Sequence, residues 1–202
     1  MFRIKINIIL DSIIDIDTNL FLFLNGIHTP FWDVIFYWVT SRVFWIPFYL
    51  VLFYFSYLKF KWRAVYVLLF FGIVLSIGDL TSVKLFKEVF ERLRPCHNPN
   101  ITDLVHTLQG HCGGQFGFVS SHATNSFALA VFSGLLLRNK FNYVFPVMLF
   151  WAALVSYSRI YVGVHYPVDL FGGAALGSIV AIFVFWLLKI SNKKLKLKLN
   201  NL

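Results

Sequence analysis

Two pairs of polar side chains in this sequence have the types and the spacing that suit chemistry on an anion. Lys87 and Arg94 are seven residues apart, so both project from one side of a helix that persists for two turns. His165 and Asp169 are four residues apart, a spacing at which the carboxylate can hold one ring nitrogen of the imidazole protonated. A histidine oriented in this way is a nucleophile or a base, and two nearby cations favour an anionic substrate.

A third cation and a second histidine extend this set. Arg159 supplies a guanidinium, which grips tetrahedral oxyanions with paired N–H groups. His122 follows Ser120 and Ser121, and the two serines predict the start of a helix whose first N–H groups point at an anion. Three cations around one cavity favour a multiply charged anion, and phosphate is the expected one. Two histidines in different environments suit a two-step transfer, in which one attacks phosphorus and the other protonates the departing oxygen.

The composition indicates that a membrane protein carries these residues. Of the 202 residues, 58% are hydrophobic and 13% are charged, against roughly 45–50% and 25% in soluble domains. Long apolar runs recur throughout, so residues 1–202 are predicted to form a single integral-membrane domain. The net charge of +9 does not indicate a nucleic-acid partner, because the cations lie at the ends of apolar segments and in a short tail.

Five apolar stretches are long enough to cross a bilayer as helices, which takes about 20 residues each. They are predicted at 43–60, 63–86, 121–138, 142–161 and 167–189. Segment 8–26 is ambiguous, because Asp11, Asp15 and Thr18 recur at helical spacing and favour a helix lying in the interface over a sixth crossing helix. The predicted fold class is therefore all-α: a polytopic membrane helical bundle with five transmembrane helices and an N-terminal interfacial helix.

The basic residues indicate how these helices are oriented. They form three clusters: Lys59 to Arg63, Arg138 with Lys140, and the tail 189–202. All three fall on one side of the membrane if the five predicted spans alternate in direction. Such clusters mark the cytoplasmic side. The loop 92–120 and the turn 159–167 are then predicted on the opposite, periplasmic face of a bacterial inner membrane.

Both cysteines of the chain, Cys96 and Cys112, fall in the predicted outer loop. Disulfides persist on an oxidising side, so the two are predicted to be bonded, the alternative being two free thiols. Three histidines raise the alternative of a zinc site in the same loop: His97, His106 and His111. Their spacing matches no standard zinc pattern, so no metal site is predicted.

The polar residues converge on one predicted face of the membrane. A single Lys or Arg at a helix end is usually an anchor, and a single His–Asp pair can simply tie a loop to a helix. Anchoring does not explain why seven such residues from three separate stretches share that face: Lys87, Arg94, Ser120, His122, Arg159, His165 and Asp169.

With these residues the chain resembles the type 2 phosphatidic acid phosphatases (PAP2), which are relatives of the vanadium haloperoxidases. The family motifs are KxxxxxxRP, PSGH and SRxxxxxHxxxD, and this chain has KEVFERLRP from Lys87, VSSH from Val119 and SRIYVGVHYPVD from Ser158. The first and third match at every fixed position, whereas the second has Val119 for Pro and Ser121 for Gly. The motifs span 87–169, and the resemblance implies a helical core of the acid phosphatase and haloperoxidase type.

The resemblance also implies a role for each matched residue. His165 is the nucleophile that forms a phosphohistidine, Asp169 orients it, and His122 is the general acid. The phosphate oxygens and the charge of the transition state are bound by Lys87, Arg94, Ser120, Ser121 and Arg159. No metal or other cofactor is implied.

The sequence thus predicts a membrane lipid phosphatase whose substrate enters sideways from the bilayer. Undecaprenyl diphosphate is the expected substrate, with lipid A phosphates, phosphatidylglycerol phosphate and phosphatidic acid as alternatives, and phosphotransfer to another lipid stays open. A different class is a non-catalytic membrane protein that only holds anionic headgroups. Such a protein has no need of His122, His165 and Asp169. The expected partners are the lipid phosphate and the bilayer, and the oligomeric state is not determined by the sequence.

Overall fold

The fold is a bundle of α-helices. The structure is a computed structural model that describes residues 2–41, 43–108, 110 and 112–199. The helices are α1 Phe2–Asn25, α2 Pro30–Thr40, α3 Ile46–Phe60, α4 Ala64–Thr81, α5 Glu88–Phe90, α6 Ser121–Leu137, α7 Val144–Tyr161 and α8 Pro167–Leu195. No β-strand forms within those residues, which contain one isolated antiparallel bridge between Leu93 and Phe116. The predicted all-α class is confirmed.

Helix α6 is the centre of the bundle and packs against α4, α7 and α8. Of its 17 residues, 13 are buried, so almost no face of this helix is left for lipid. Small residues allow the close approach of α8, since a Cβ on Gly177 would lie 2.1 Å from the Thr124 carbonyl oxygen. The central position of α6 carries its N-terminal residues, VSSH, into the interior of the bundle.

Helices α3, α4, α6, α7 and α8 coincide with the five predicted spans. Three stretches of the described chain are long and apolar enough to cross a membrane: Val43–Phe90, Val144–Tyr161 and Pro167–Leu195. The first contains both α3 and α4, which a turn at Lys61–Arg63 joins. Outward-facing side chains are large and apolar, as a bilayer requires, and Leu50, Leu69, Phe150 and Ile179 are 61% to 73% exposed. The number of spans, the interfacial placement of α1 and the single domain 1–202 stay predictions.

The short helix α2 was not predicted from the sequence. It begins at Pro30, after the N-cap residue Thr29, whose side chain accepts a hydrogen bond from the Trp32 N–H. Its 11 residues are too few to cross a bilayer. Helix α2 packs against α7 and carries Thr40 to the candidate site described below.

The three basic clusters meet at one end of the bundle. The Lys59 ammonium donates a hydrogen bond to the Leu136 carbonyl at 2.7 Å, and Lys140 donates to the Leu58 carbonyl at 2.8 Å. The Arg63 guanidinium donates to the carbonyl of Lys198 in the tail at 2.9 Å. The ends of α3, α6 and α8 are thereby held together, and the N-terminus of α6 lies at the opposite end of the bundle.

The loop between α5 and α6 is fastened by a disulfide between Cys96 and Cys112, whose Cα atoms are 6.0 Å apart. Backbone hydrogen bonds join the same two segments, from Arg94 N to Gln115 O and from Gly117 N to Arg92 O. With both cysteines in the disulfide, neither is available as a thiolate ligand for zinc. His111 lies outside the described residues, and the rest of the described chain contains no group of three or more His, Cys, Asp or Glu side chains that could hold a metal ion.

Candidate active site

A polar cavity of about 600 Å³ lies at the end of the bundle opposite the basic clusters. Six of the residues predicted from the sequence line it: Lys87, Arg94, Ser121, His122, Arg159 and His165. Ser120 and Asp169 lie directly behind the wall and are fully buried. Loops and helix ends from four separate parts of the chain thus bring the eight predicted residues to one place.

His165 lies in the turn between α7 and α8, directly before the first turn of α8. The ring Nδ1 is 3.3 Å from Oδ2 of Asp169, and the same oxygen accepts the Tyr166 N–H at 3.0 Å. Pro167 begins α8, so its missing N–H leaves no donor unsatisfied there. With Nδ1–H donated to Asp169, Nε2 carries the lone pair in a ring that lines the cavity.

The electrostatic environment keeps the His165 ring neutral. Its side chain is almost completely buried. Burial lowers the pKa of His165 well below 6.5, and the positive charges of Arg94, Arg159 and Lys87 lower this pKa further. A neutral imidazole with a free Nε2 lone pair is the form that attacks an electrophile.

Lys87 reaches the cavity from the last turn of a π-helical segment, Ser82–Lys87, that continues α4. Its ammonium donates a 2.8 Å hydrogen bond to the hydroxyl of Ser121, and that hydroxyl is also 2.8 Å from the hydroxyl of Ser82. π-Helical turns are rare and occur often at functional sites. The motif has glycine at the position of Ser121, so the hydroxyl that binds Lys87 is a consequence of this substitution.

Ser120 is the N-cap of α6. Its hydroxyl accepts the Ala123 N–H at 3.4 Å, and its own N–H donates to the Asp169 carbonyl at 3.0 Å. The structure therefore gives Ser120 a capping contact, and direct binding of phosphate by this residue stays a prediction. Val119, which stands in the position of the motif proline, is fully buried and packs against Gly172 of α8, where a Cβ would lie 2.7 Å from it.

The two arginines of the cavity are fixed by neighbouring groups. Arg94 lies two residues before the disulfide-bonded Cys96, and its Nε donates to the Phe116 carbonyl at 3.3 Å. Arg159, in the last turn of α7, donates through Nη1 to the hydroxyl of Thr40 at the end of α2. A guanidinium carries five N–H donors, so each arginine can bind an oxyanion while it makes such a contact.

Two residues that touch the site were not predicted from the sequence. Arg92 donates to Oδ1 of Asp169 at 2.9 Å and to Oδ2 of Asp17, in α1, at 2.6 Å. Arg92 falls between the fixed positions of the first motif, and Asp17 is not one of the polar residues, Asp11, Asp15 and Thr18, that indicate an interfacial helix. No spacing in the sequence links Asp17 to residues more than 70 positions away.

A second cavity of about 610 Å³ adjoins the polar one. Three residues line both cavities: Thr40, Asp79 and His122. The remaining lining is mainly apolar and comes mostly from α3, α4, α6 and α7, including Leu52, Phe71, Leu129 and Trp151, together with Trp45 directly before α3. His122 therefore stands at the boundary between a cationic cavity and an apolar one within the membrane-spanning helices.

This arrangement agrees with comparisons to known proteins. Residues 60–193 match the PAP2 superfamily. The chain belongs to this superfamily. A lipid A 4'-phosphatase of Bacteroides thetaiotaomicron is 38% identical over 189 residues, which cover 93% of this chain and 81% of that protein. The undecaprenyl-diphosphatase BcrC of Bacillus subtilis is 34% identical over 87 residues, or 43% of this chain and 42% of its own length.

A solved structure supports the PAP2 fold. The crystal structure of a transmembrane PAP2 type phosphatidylglycerolphosphate phosphatase from Bacillus subtilis superimposes with a TM-score of 0.65, at 24% identity, over 88% of this chain and 87% of that one. This likeness confirms the predicted helical core, and the match over residues 60–193 confirms the predicted family. This PAP2 protein is a multi-pass membrane lipid phosphatase.

Proposed function

We propose that this PAP2 protein removes a phosphate from a lipid A-type glycolipid at the periplasmic face of the inner membrane, through a phosphohistidine on His165. The observation that carries the proposal is the single cavity that joins an oriented, neutral His165 to three cations and to His122. Cations alone would suit binding, whereas a histidine held by a buried carboxylate opposite a second histidine suits phosphoryl transfer.

In the first step, Nε2 of His165 attacks phosphorus and the bond from phosphorus to the lipid oxygen breaks. Lys87, Arg94 and Arg159 bind the three non-bridging oxygens, whose charge they stabilise in the transition state. Asp169 keeps Nδ1 protonated and stabilises the positive charge that the ring acquires. His122 gives its proton to the departing lipid oxygen, so the lipid leaves as an alcohol.

In the second step, water attacks the phosphohistidine. His122, now neutral, takes a proton from that water, the bond between phosphorus and nitrogen breaks, and inorganic phosphate leaves. His165 returns to its neutral form. A lipid alcohol in place of water would give phosphotransfer, and the same two steps would apply.

The apolar cavity supports a substrate that enters from the bilayer. It adjoins the phosphate-binding cavity at His122, where the leaving oxygen would be protonated, and its walls are built from spanning helices. A lipid whose phosphate occupies the polar cavity therefore has an apolar space next to its leaving group. The three basic clusters at the other end of the bundle support a periplasmic position for the site.

The comparisons favour a lipid A phosphate over undecaprenyl diphosphate, the substrate expected from the sequence. The lipid A 4'-phosphatase relative aligns with 93% of the chain, whereas the undecaprenyl-diphosphatase aligns with 43%. The undecaprenyl diphosphate prediction is thus not supported as the specific substrate.

The test is phosphate release by the purified protein in detergent, with chelator present throughout. The substrates are lipid A, undecaprenyl diphosphate, phosphatidylglycerol phosphate and phosphatidic acid, and the variants are His165→Ala and His28→Ala. His28 is an exposed histidine outside the cavity, so it serves as the matched control. We expect lipid A to be the fastest substrate, His28→Ala to match the parent, and His165→Ala to release no phosphate. Equal rates for His165→Ala and the parent would overturn the proposed mechanism. A faster rate with another lipid than with lipid A would overturn the proposed substrate assignment.

A further inference from the structure

Arg92 is a cation that touches the catalytic pair from behind the cavity. Its Nη1 lies 2.9 Å from Oδ1 of Asp169, and its guanidinium carbon lies 4.1 Å from the centre of the Tyr166 ring. Arg92 is not one of the described residues that line the polar cavity. Its position therefore differs from that of Arg94, two residues later, which does line it.

The two oxygens of Asp169 have separate partners. Oδ1 accepts a hydrogen bond from Arg92, and Oδ2 accepts from His165 Nδ1 and from the backbone of Tyr166. Because this carboxylate is fully buried, no water can replace a lost donor. The direction in which Oδ2 points at His165 thus depends on what holds Oδ1.

Asp17 holds Arg92 in this position. Its Oδ2 is 2.6 Å from Arg92 Nη2, and its Oδ1 accepts the N–H of Val168, the residue before Asp169, at 2.9 Å. The Asp17 side chain is only 3% exposed, whereas Asp11 and Asp15 on the same helix are exposed. Through Asp17, helix α1 contacts both the Arg92 guanidinium, which binds Asp169, and the backbone N–H of Val168, the residue before Asp169.

We infer that Asp17 and Arg92 are positioning residues, which set the orientation of Asp169 and through it that of the His165 ring. This inference rests on the proposed function of His165 as the nucleophile. A guanidinium beside a carboxylate tends to bind both oxygens at once. By engaging Nη2, Asp17 restricts Arg92 to Oδ1 and leaves Oδ2 to His165. Without Asp17, Arg92 is free to take both oxygens, and the histidine loses its carboxylate acceptor.

The first experiment compares Asp17→Asn and Arg92→Gln with matched controls that change the same residue types on the surface, Asp15→Asn and Arg138→Gln. For the substrate that the parent hydrolyses, we expect kcat to fall roughly 10- to 100-fold in both test variants, the usual loss when a supporting hydrogen-bond partner is removed. We expect KM to change little, since the phosphate-binding cations remain. Both controls should match the parent. A raised KM with an unchanged kcat would overturn the inference and make Arg92 a substrate-binding residue.

The second experiment asks whether Arg92 acts through Asp169. Arg92→Gln is combined with Asp169→Asn, and the residual rate is compared with that of Asp169→Asn alone. We expect the second substitution to cause no further loss, because the residue through which Arg92 acts is already altered. A multiplied loss in the double variant would indicate a role in overall structure and overturn the inference.

Folding is monitored by thermal unfolding in detergent for every variant. If Arg92→Gln does not fold, Arg92→Lys keeps a cation, and we expect it to fold with a lowered kcat, because an ammonium cannot hold both carboxylates in the same geometry. The His165→Ala variant distinguishes failure of the proposed function from failure of the positioning role of Asp17 and Arg92. Activity in His165→Ala would overturn the proposed function and this inference together. If His165→Ala is inactive while Asp17→Asn and Arg92→Gln equal the parent, only the inference fails.

Discussion

The ammonium of Lys87 is hydrogen-bonded at 2.8 Å to the hydroxyl of Ser121, the residue that replaces glycine in the second motif. The serine therefore holds one donor of the lysine and leaves its other N–H groups for phosphate. A change that could have disturbed the anion site instead supplies a contact that fixes a cation beside it.

Removing this hydroxyl is expected to weaken substrate binding. In Ser121→Ala, Lys87 loses a fixed partner, and a hydrogen bond to a charged group contributes roughly 1 kcal/mol or more. We expect KM to rise about 3- to 10-fold, with kcat within about twofold of the parent. Steady-state kinetics measure both constants. The control is Ser178→Ala, which removes a partly buried hydroxyl on α8 that donates to the Ala174 carbonyl of its own helix. A lower KM would mean that Ser121 competes with phosphate for Lys87.

The pH dependence should report the neutral state of His165. Burial lowers the pKa of this ring, and the charge of Arg94 lowers it further. The nucleophile is active above its pKa and is lost as the pH falls through it, so the acidic limb of the kcat/KM profile lies below pH 6.5. Removing a cation raises the pKa of His165, and in Arg94→Gln the limb is expected to move to higher pH. The same substrate is used for both proteins, so ionisation of its phosphate cancels in the comparison. An unmoved limb would contradict this electrostatic coupling.

The role of His122 as general acid can be separated from binding by changing the leaving group. We expect His122→Ala to lower kcat/KM, which reports the first step, about 10²- to 10⁴-fold for a lipid phosphate, since an alkoxide leaves poorly without a proton. With p-nitrophenyl phosphate the loss in kcat/KM should be much smaller, because nitrophenolate needs no proton to depart and the second step does not enter kcat/KM. Rates on the two substrates are measured side by side. Equal losses on both would contradict the assignment.

The disulfide is expected to stabilise the loop that carries Arg94. It joins cysteines 16 positions apart, and a loop of this length corresponds to about 3 kcal/mol in the chain-entropy description. Reduction should lower the midpoint of denaturation in detergent and reduce activity. The variant with both Cys96→Ser and Cys112→Ser should resemble the reduced parent and should not respond to reductant. Unchanged stability on reduction would contradict the prediction.

Filling the apolar cavity should affect only substrates with an apolar part. Leu75 lines that cavity and is partly buried, so Leu75→Trp is expected to fill part of it. We expect activity on long-chain lipid phosphates to fall about tenfold or more, in line with loss of several buried methylene groups, and activity on p-nitrophenyl phosphate to persist. Ile179→Trp, on the lipid-facing side of α8, is the control. Equal losses on both substrates would show that the cavity does not hold the lipid.

The helical class, the positions of five long helices and the six predicted residues that line the polar cavity follow from the sequence alone. Long apolar runs and fixed motif spacings are local properties, so they persist whatever the packing. The start signals of α2 are also local, namely Thr29, Pro30 and the first-turn acid Asp33. Its 11 residues are fewer than a crossing helix needs, so hydropathy alone does not indicate this helix.

Only the tertiary structure distinguished residues of the same type. Arg92 and Arg94 are two positions apart, yet one contacts Asp169 from behind and the other faces the cavity. Asp17 is buried against Arg92, while Asp15 on the same helix is exposed. These assignments depend on which side of α1 meets α8 and on how the disulfide-bonded loop returns to the bundle. These contacts join residues more than 70 positions apart. Which of two similar side chains is buried, and which charge it meets, is therefore set by the packing of the helices and not by any local sequence pattern.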